Sequence, residues 1–519
     1  MIFVAGHKRS RCSSFTLACS PFLRRAAEPL SHGRAWLILP LLVFALFPAG
    51  LWAQGSADSV FLFGLWEGSV DLGQGPEPLA IRLFPADPEA GQDEGGLLDL
   101  PARSLFGYPM GQVERDPRGL VFTLLGNAPF AGRFSLEAAP SDAAEAPKPA
   151  GERGAPISGA RISGTAVLSP AEGAAAAQGS FSLDYFATSV RRQGYGVGYD
   201  IDTGRGILPS SLVLPEAPDG PLPLVLMIPS AAQDRDGDNY AVPGKSDALL
   251  QLALALRDKN IASCRYDRRG AGEAYRLGQR EAELRFDDHV ADARAAIGRI
   301  ARDPRFSGIW ILGYGEGALV GAAALFPGAP MAETKAAPLA PESSARVQGL
   351  AALCVSGKTE LETVEEALAT IPDEEKTEAE AIMEALKSGR SYPDPSPYFA
   401  DFFRPSVQGY LASYFRYDIR SIFAELDRPV LIAAGGSDLQ VGAAEAALLA
   451  SACPGAALRS VSGMSHALKE VGADEDANYA SFTDPSIRLS EGLVELLSAF
   501  FKGESLPGED PRAASAPNP

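Results

Sequence analysis

Six short apolar runs, all downstream of residue 191, constrain the fold more than anything else in the chain. They are Leu224–Ile228, Ile261–Tyr266, Ile309–Gly313, Gly349–Val355, Val430–Ala434 and Leu458–Val461. The runs are apolar almost throughout, without the alternation of a half-wet strand, so each must be covered on both faces. Stretches between them, such as DALLQLALALRD and FDDHVADARAAIGRIARD, repeat their apolar residues with a helical period. Buried strands joined by helices predict a mostly parallel, doubly wound α/β sheet over residues 191–502.

The rhythm upstream is different. Between residues 54 and 190, segments such as LAIRLFP, GLVFTLLG and ISGTAVLS alternate apolar with polar residues and are separated by Gly, Pro and Asp. That pattern predicts a small antiparallel β-domain with one wet and one buried face. The low-complexity stretch Ala139–Pro156 reads as a loop, and residues 503–519 as a disordered tail.

Residues 1–53 read as a signal peptide. Arg24, Arg25 and Arg34 precede the apolar run Ala35–Phe47, and Ala53 suits the last position before a cut. The run is short for a bilayer span. The expectation is an exported protein, periplasmic or extracellular, with no membrane span in the mature chain. The net charge of −19 speaks against a nucleic-acid partner, which would need a basic face. Of the five cysteines, Cys12 and Cys19 lie in the signal. Cys264 and Cys354 sit in apolar runs and Cys453 follows a helix, with no ligand-like spacing, so neither a disulfide framework nor a metal or other cofactor is expected.

About 75 residues separate Val355 from Val430, more than a crossover needs. Leu361, Val364, Leu368 and Ile371 share one helical face, and a second helix around Ile382, Met383 and Leu386 ends at Gly389. Residues 358–412 are therefore expected to form a helical lid over the sheet edge where α/β ligands bind.

The segment LGYGEGALV, Leu312–Val320, has the frame of a nucleophile elbow, a sharp strand-to-helix turn flanked here by Gly313 and Gly317. The nucleophile position is Gly315. No serine in the chain has glycine at both −2 and +2, so no displaced elbow exists. Downstream, Asp438 follows the strand Val430–Ala434, and His466 lies in a loop after the last strand. A carboxylate on such a turn can orient an imidazole and stabilise its protonated form. His289, the other histidine beyond the signal, falls mid-helix and is expected at a packing seam or in solvent. The acidic turn DRDGDN, Asp234–Asn239, lacks the glycine and acid spacing of a calcium loop and reads as a structural turn.

These motifs together resemble the exported α/β-hydrolases of the bacterial esterase D, serine aminopeptidase-like and dienelactone hydrolase-like type. The resemblance runs from about Arg191 to Lys502 through QDRDGDN, RYDRRGAGEA, RFDDHVADARAAI, LGYGEGALV, GGSDLQV and GMSHALKE. It implies an α/β-hydrolase fold with a helical lid insertion, a preceding β-domain, and carboxylic ester hydrolysis. It also implies an oxyanion hole at the main-chain N–H groups of Ala231 and Glu316. Three departures fall in one pocket: Gly315 where the family has serine, Pro229-Ser230-Ala231-Ala232 where it has Gly-Ser-Gly-Pro, and Glu273-Ala274 where a serine is common. Without a hydroxyl at 315 the standard serine mechanism is not possible there. The expected function is a hydrolase relative, impaired or repurposed to bind a small acyl ester, a peptide-like ligand or a partner. The alternative is an esterase-like hydrolase in which His466 activates a water lodged in the space beside Gly315.

Overall fold

The computed structural model describes residues 61–508, apart from 62, 87–92, 101–104, 125–131, 140–160, 171–175, 187–195, 217, 219, 240–243, 279–280 and 332–336. The expected signal, the loop over Ala139–Pro156 (Ala139 aside) and the tail beyond 508 lie outside the described residues. Residues 503–508, expected in the tail, stay on the fold: Leu506 packs on the core and the Pro507 carbonyl accepts from Arg459 Nε at 3.2 Å.

The N-terminal strands are β1 Gly64–Asp71, β2 Pro76–Phe84, β3 Gly95–Leu100, β4 Leu105–Arg115, β5 Gly119–Leu124, β6 Gly132–Ala138, β7 Arg161–Pro170 and β8 Ala177–Phe186. All pairings are antiparallel, and β1 pairs with both β2 and β8, so the antiparallel β-domain closes into a barrel. Alternation sends Leu79, Ile81 and Leu83 inward along β2. At eight strands a barrel is narrow enough for side chains to fill it, and Trp66, Phe122, Phe134 and Tyr185 do so.

The second sheet is built from β9 Val197–Gly198, β12 Ser210–Val213, β13 Leu222–Ile228, β14 Ala262–Tyr266, β15 Phe306–Tyr314, β16 Val347–Leu353, β17 Val430–Gly435 and β18 Ala457–Val461, with a separate hairpin of β10 Ile201–Asp202 and β11 Ile207–Leu208. Its order is β18-β17-β16-β15-β13-β14-β12-β9. From β13 to β18 every pairing is parallel, while β12 runs antiparallel to its neighbours. The chain leaves β13 toward β14 and returns to β15 on the other side. This reversal makes the carboxyl ends of β13 and β15 the switch point of the sheet, the place where open α/β sheets bind ligands.

Eleven helices accompany the sheet among the described residues: α1 Ala248–Asp258, α2 Phe286–Ala301, α3 Glu316–Leu325, α4 Pro341–Ser344, α5 Glu360–Leu368, α6 Asp373–Lys387, α7 Pro405–Tyr414, α8 Ile419–Ala424, α9 Ala443–Ala452, α10 Glu475–Ala480 and α11 Glu491–Lys502. Helix α3 is enclosed from Gly317 to Leu325, which explains its run of small residues. The insertion between β16 and β17 consists of α5 to α8, and Ile382, Met383 and Leu386 join the same core as α2 and α3. Its second half is fastened by buried polar bonds. Phe286 N–H donates to Ser413 Oγ at 2.8 Å, and Tyr417 O–H to Asp287 Oδ1 at 2.8 Å. His289 sits at the packing seam, 5% exposed, its ring between Phe286 and Tyr410. Burial, then the charges of Arg268 and Arg269, hold its pKa well below the usual histidine value.

Candidate active site

Residue 315 is where β15 turns into α3. Its φ of 52° and ψ of −125° are sparsely populated by L-residues and natural for glycine. A Cβ on the flanking Gly317 would meet the Pro229 carbonyl at 2.7 Å, so the end of β13 approaches the elbow too closely for a side chain there. The turn thus keeps the strained path of an elbow without the side chain that path would present.

The space into which a side chain at 315 would project holds Ser230. A Cβ built on Gly315 would run into Ser230 Oγ, nearer than real Cβ atoms approach a heavy atom, and would lie 3.1 Å from Ser230 Cβ. Ser230 Oγ also accepts a long bond, 3.4 Å, from the Glu316 N–H. That N–H was expected to serve the oxyanion hole, and here an internal hydroxyl lies on it. Ala231, the other expected donor, occupies a half-buried corner of a turn in which Gln233 N–H donates to the Ser230 carbonyl at 3.3 Å and Ser230 N–H to Gln233 Oε1 at 3.0 Å. Ala232 completes the turn with φ 56°.

Asp438 and His466 are together. His466 Nδ1 lies 2.9 Å from Asp438 Oδ2, and the carboxylate is fully enclosed. Burial alone would raise the Asp438 pKa. The His466 imidazole and N–H groups of Val441 and Gln440, which donate to Oδ1 at 2.9 and 2.7 Å, outweigh it and hold the carboxyl below the usual range. The His466 ring stacks loosely on Phe482 and lies 5.5 Å from Tyr314, the residue before the elbow glycine. Tyr314 O–H donates to the His466 carbonyl at 2.9 Å and shares a bond with the Gln233 side chain, so one phenol ties the histidine loop to the Ser230 turn.

Three participants were not read from the sequence. Cys354 lies just past β16 with φ 48°, and its thiol bonds to the Asp438 carboxylate. Burial first, then the Asp438 charge, push that thiol well above its usual pKa, so it stays protonated. Cys354 Sγ, Asp438 and His466 place their donor atoms within 4.8 Å of one another. Arg268 pairs with the Glu316 carboxylate at 2.7 Å, both side chains buried, and reaches the Pro229 carbonyl at 3.4 Å. It joins the end of β13 to the elbow. Cys264 and Cys453 are buried, like Cys354. Tyr314, the third, was seen only as a strand residue.

In the DRDGDN turn the carboxylates bond to the surrounding main chain. Asp234 accepts from the N–H groups of Asp236 and Asp238, and Asp238 from those of Ser246 and Asp247 ahead of α1. Arg235 forks onto Asp267, with Nη2 2.6 Å from Oδ2.

Strand order, elbow turn and acid–imidazole pair have the arrangement of an α/β-hydrolase fold. The chain matches no described protein family and no curated protein. Similar solved structures include Est1E from Butyrivibrio proteoclasticus, at 14% identity over 59% of this chain and 96% of that one, with a TM-score of 0.33. Proline iminopeptidase from Mycobacterium smegmatis is 15% identical over 59% of this chain and 98% of its own, TM-score 0.36. An enol-lactonase from Burkholderia xenovorans is 15% identical over 51% and 90%, TM-score 0.30. No described helix is long and apolar enough to cross a membrane.

Proposed function

We propose that this chain is an exported acyl hydrolase relative that works without a covalent intermediate at residue 315. Its ligands are small carboxylic esters or peptide-like acyl compounds, taken up at the carboxyl ends of β13 and β15. The observation that carries the reading is the enclosed Asp438–His466 pair at 2.9 Å beside a strained elbow that offers no hydroxyl of its own. A buried carboxylate held ionised can orient the imidazole and stabilise it once protonated, which is what moving a proton at an ester requires. The test is turnover of a short-chain p-nitrophenyl ester by the full chain. The expected result is slow hydrolysis that falls at least tenfold in His466→Ala.

A second reading is a binding protein. Its support is Ser230 Oγ on the Glu316 N–H, a donor that hydrolysis would need for the substrate's carbonyl oxygen. It predicts no turnover above background but saturable binding of the unreacted ester. Export rests on the Arg24–Ala53 pattern. The intact mass of protein recovered from the producing cell's envelope or medium should correspond to cleavage after Ala53, and recovery of the whole chain in the cytoplasm would overturn it.

A further inference from the structure

We propose that Ser230 is the nucleophile of this site, supplied from the end of β13 instead of from the elbow. The inference rests on the hydrolase reading above and names the group that reading leaves open.

Ser230 Oγ lies where the first side-chain atoms of residue 315 would project, and only glycine at 315 leaves room for it. It is also on the Glu316 N–H, the donor beside which an elbow hydroxyl would sit. The hydroxyl is held by a fixed turn. Its own N–H and carbonyl are bonded to Gln233, Pro229 before it restricts the backbone, and Arg268 holds the Pro229 carbonyl. The residue is half-buried, so a substrate at the switch point can reach it. His466 uses Nδ1 for Asp438, and Nε2 has no protein partner among the described residues.

The step begins as the hydroxyl turns about its single χ1 bond from the Glu316 N–H toward His466 Nε2. Ser230 Oγ bonds to the acyl carbon while its proton passes to Nε2. The carbonyl electron pair moves onto oxygen, which takes the vacated Glu316 N–H together with that of Ala231. The C–O bond to the alcohol then breaks, and the alcohol leaves with the proton from Nε2. Water adds to the Ser230 ester by the same route, releasing the carboxylic acid and restoring the hydroxyl. Nothing is oxidised or reduced. The site needs Ser230 to alternate between filling the oxyanion position and attacking, which predicts a slow enzyme.

A fluorophosphonate probe on the full-length chain, followed by peptide mapping, tests this together with ester turnover. The expected result is one adduct on the peptide bearing Ser230, absent in Ser230→Ala and at least about tenfold slower in His466→Ala, with turnover down at least about a hundredfold in Ser230→Ala. Mapping the wild-type adduct needs no variant, so a misfolded variant does not blunt the test. Turnover that persists in Ser230→Ala with no adduct at Ser230 overturns the proposal and leaves water activated by His466. An absence of both adduct and turnover, with tighter ester binding in Ser230→Ala, overturns it along with the hydrolase reading, since Ser230 would then only plug the site.

Discussion

Gly315 is held in a conformation that costs an L-residue about 1–3 kcal/mol. Ser230 occupies the space its side chain would use. Restoring the elbow serine therefore has two separable costs. Gly315→Ser should lower stability by about 1–3 kcal/mol in urea unfolding, and the new side chain should drive Ser230 off the Glu316 N–H. Burst release of p-nitrophenol should consequently be larger in the Ser230→Ala, Gly315→Ser double variant than in Gly315→Ser alone. Equal bursts would mean that Ser230 turns aside freely. At Asp438 the folded pKa is depressed, so its contribution to stability is present above the ordinary aspartate value of about 4 and is lost as pH falls through the folded value. Asp438→Asn should remove that part of the acid dependence, giving a flatter stability curve below pH 5 as well as weaker turnover. Residues 313, 315, 317, 438 and 466 were legible because an elbow and an acid–imidazole pair have a chain order. Cys354, Arg268 and Tyr314 were not, since their roles exist only through contacts across strands. Ser230 was visible as part of a departure, but the place of its hydroxyl follows from a missing Cβ one strand away.

The insertion shows what a helical period can and cannot say. Its first helix begins where Thr359 and Glu362 cap each other, Thr359 Oγ1 accepting from Glu362 N–H at 3.1 Å and Glu362 Oε2 from Thr359 N–H at 2.8 Å. The apolar spacing of Leu361, Val364 and Leu368 and the glycine after α6 fit the two helices, while Ile371, expected on the same face, lies three residues past the end of α5. The periodicity said nothing of Glu360, which the cap turns inward to 6% exposure. Burial, and then the negative charge of Glu316, push its carboxyl up to about 8. A raised acid pKa means the folded chain holds a proton that the unfolded chain has lost, so stability falls as pH rises from about 4.5 to about 8. Glu360→Gln should abolish that slope and stabilise the protein at pH 8 by on the order of 1–3 kcal/mol, read from denaturant midpoints at several pH values. An unchanged slope would place the charge elsewhere. The bonds of Ser413 in α7 and of Tyr417 after it to α2 argue that any local opening of the insertion begins in α5 and α6.

At the scale of the molecule, the barrel rests on the segment that follows β14. Alternating strands look the same in an open sheet and in a closed barrel, so neither the closure nor this seat could be read from the chain. Arg82 of β2 pairs with Glu273, whose other oxygen lies 3.1 Å from Arg235 in the acidic turn, so one carboxylate joins the barrel to that turn. Tyr275, 2% exposed, packs beside Phe84, and a Cβ on Gly95 would strike its hydroxyl oxygen. The two kinds of contact differ in weight. The ion pair is partly solvated, with side-chain exposures of 26% and 16%, and such pairs contribute up to about 1 kcal/mol. Truncating an enclosed aromatic costs about 3–5 kcal/mol. The packed ring, more than the charges, should hold barrel and sheet in one cooperative unit. Calorimetry should show a single main transition for the wild type and for Arg82→Ala, but two separated transitions for Tyr275→Ala, the domains losing their mutual stabilisation while each keeps its own core. Separation in Arg82→Ala with none in Tyr275→Ala would reverse the ranking and make the Arg82–Glu273–Arg235 bridge the true hinge between the barrel and the site.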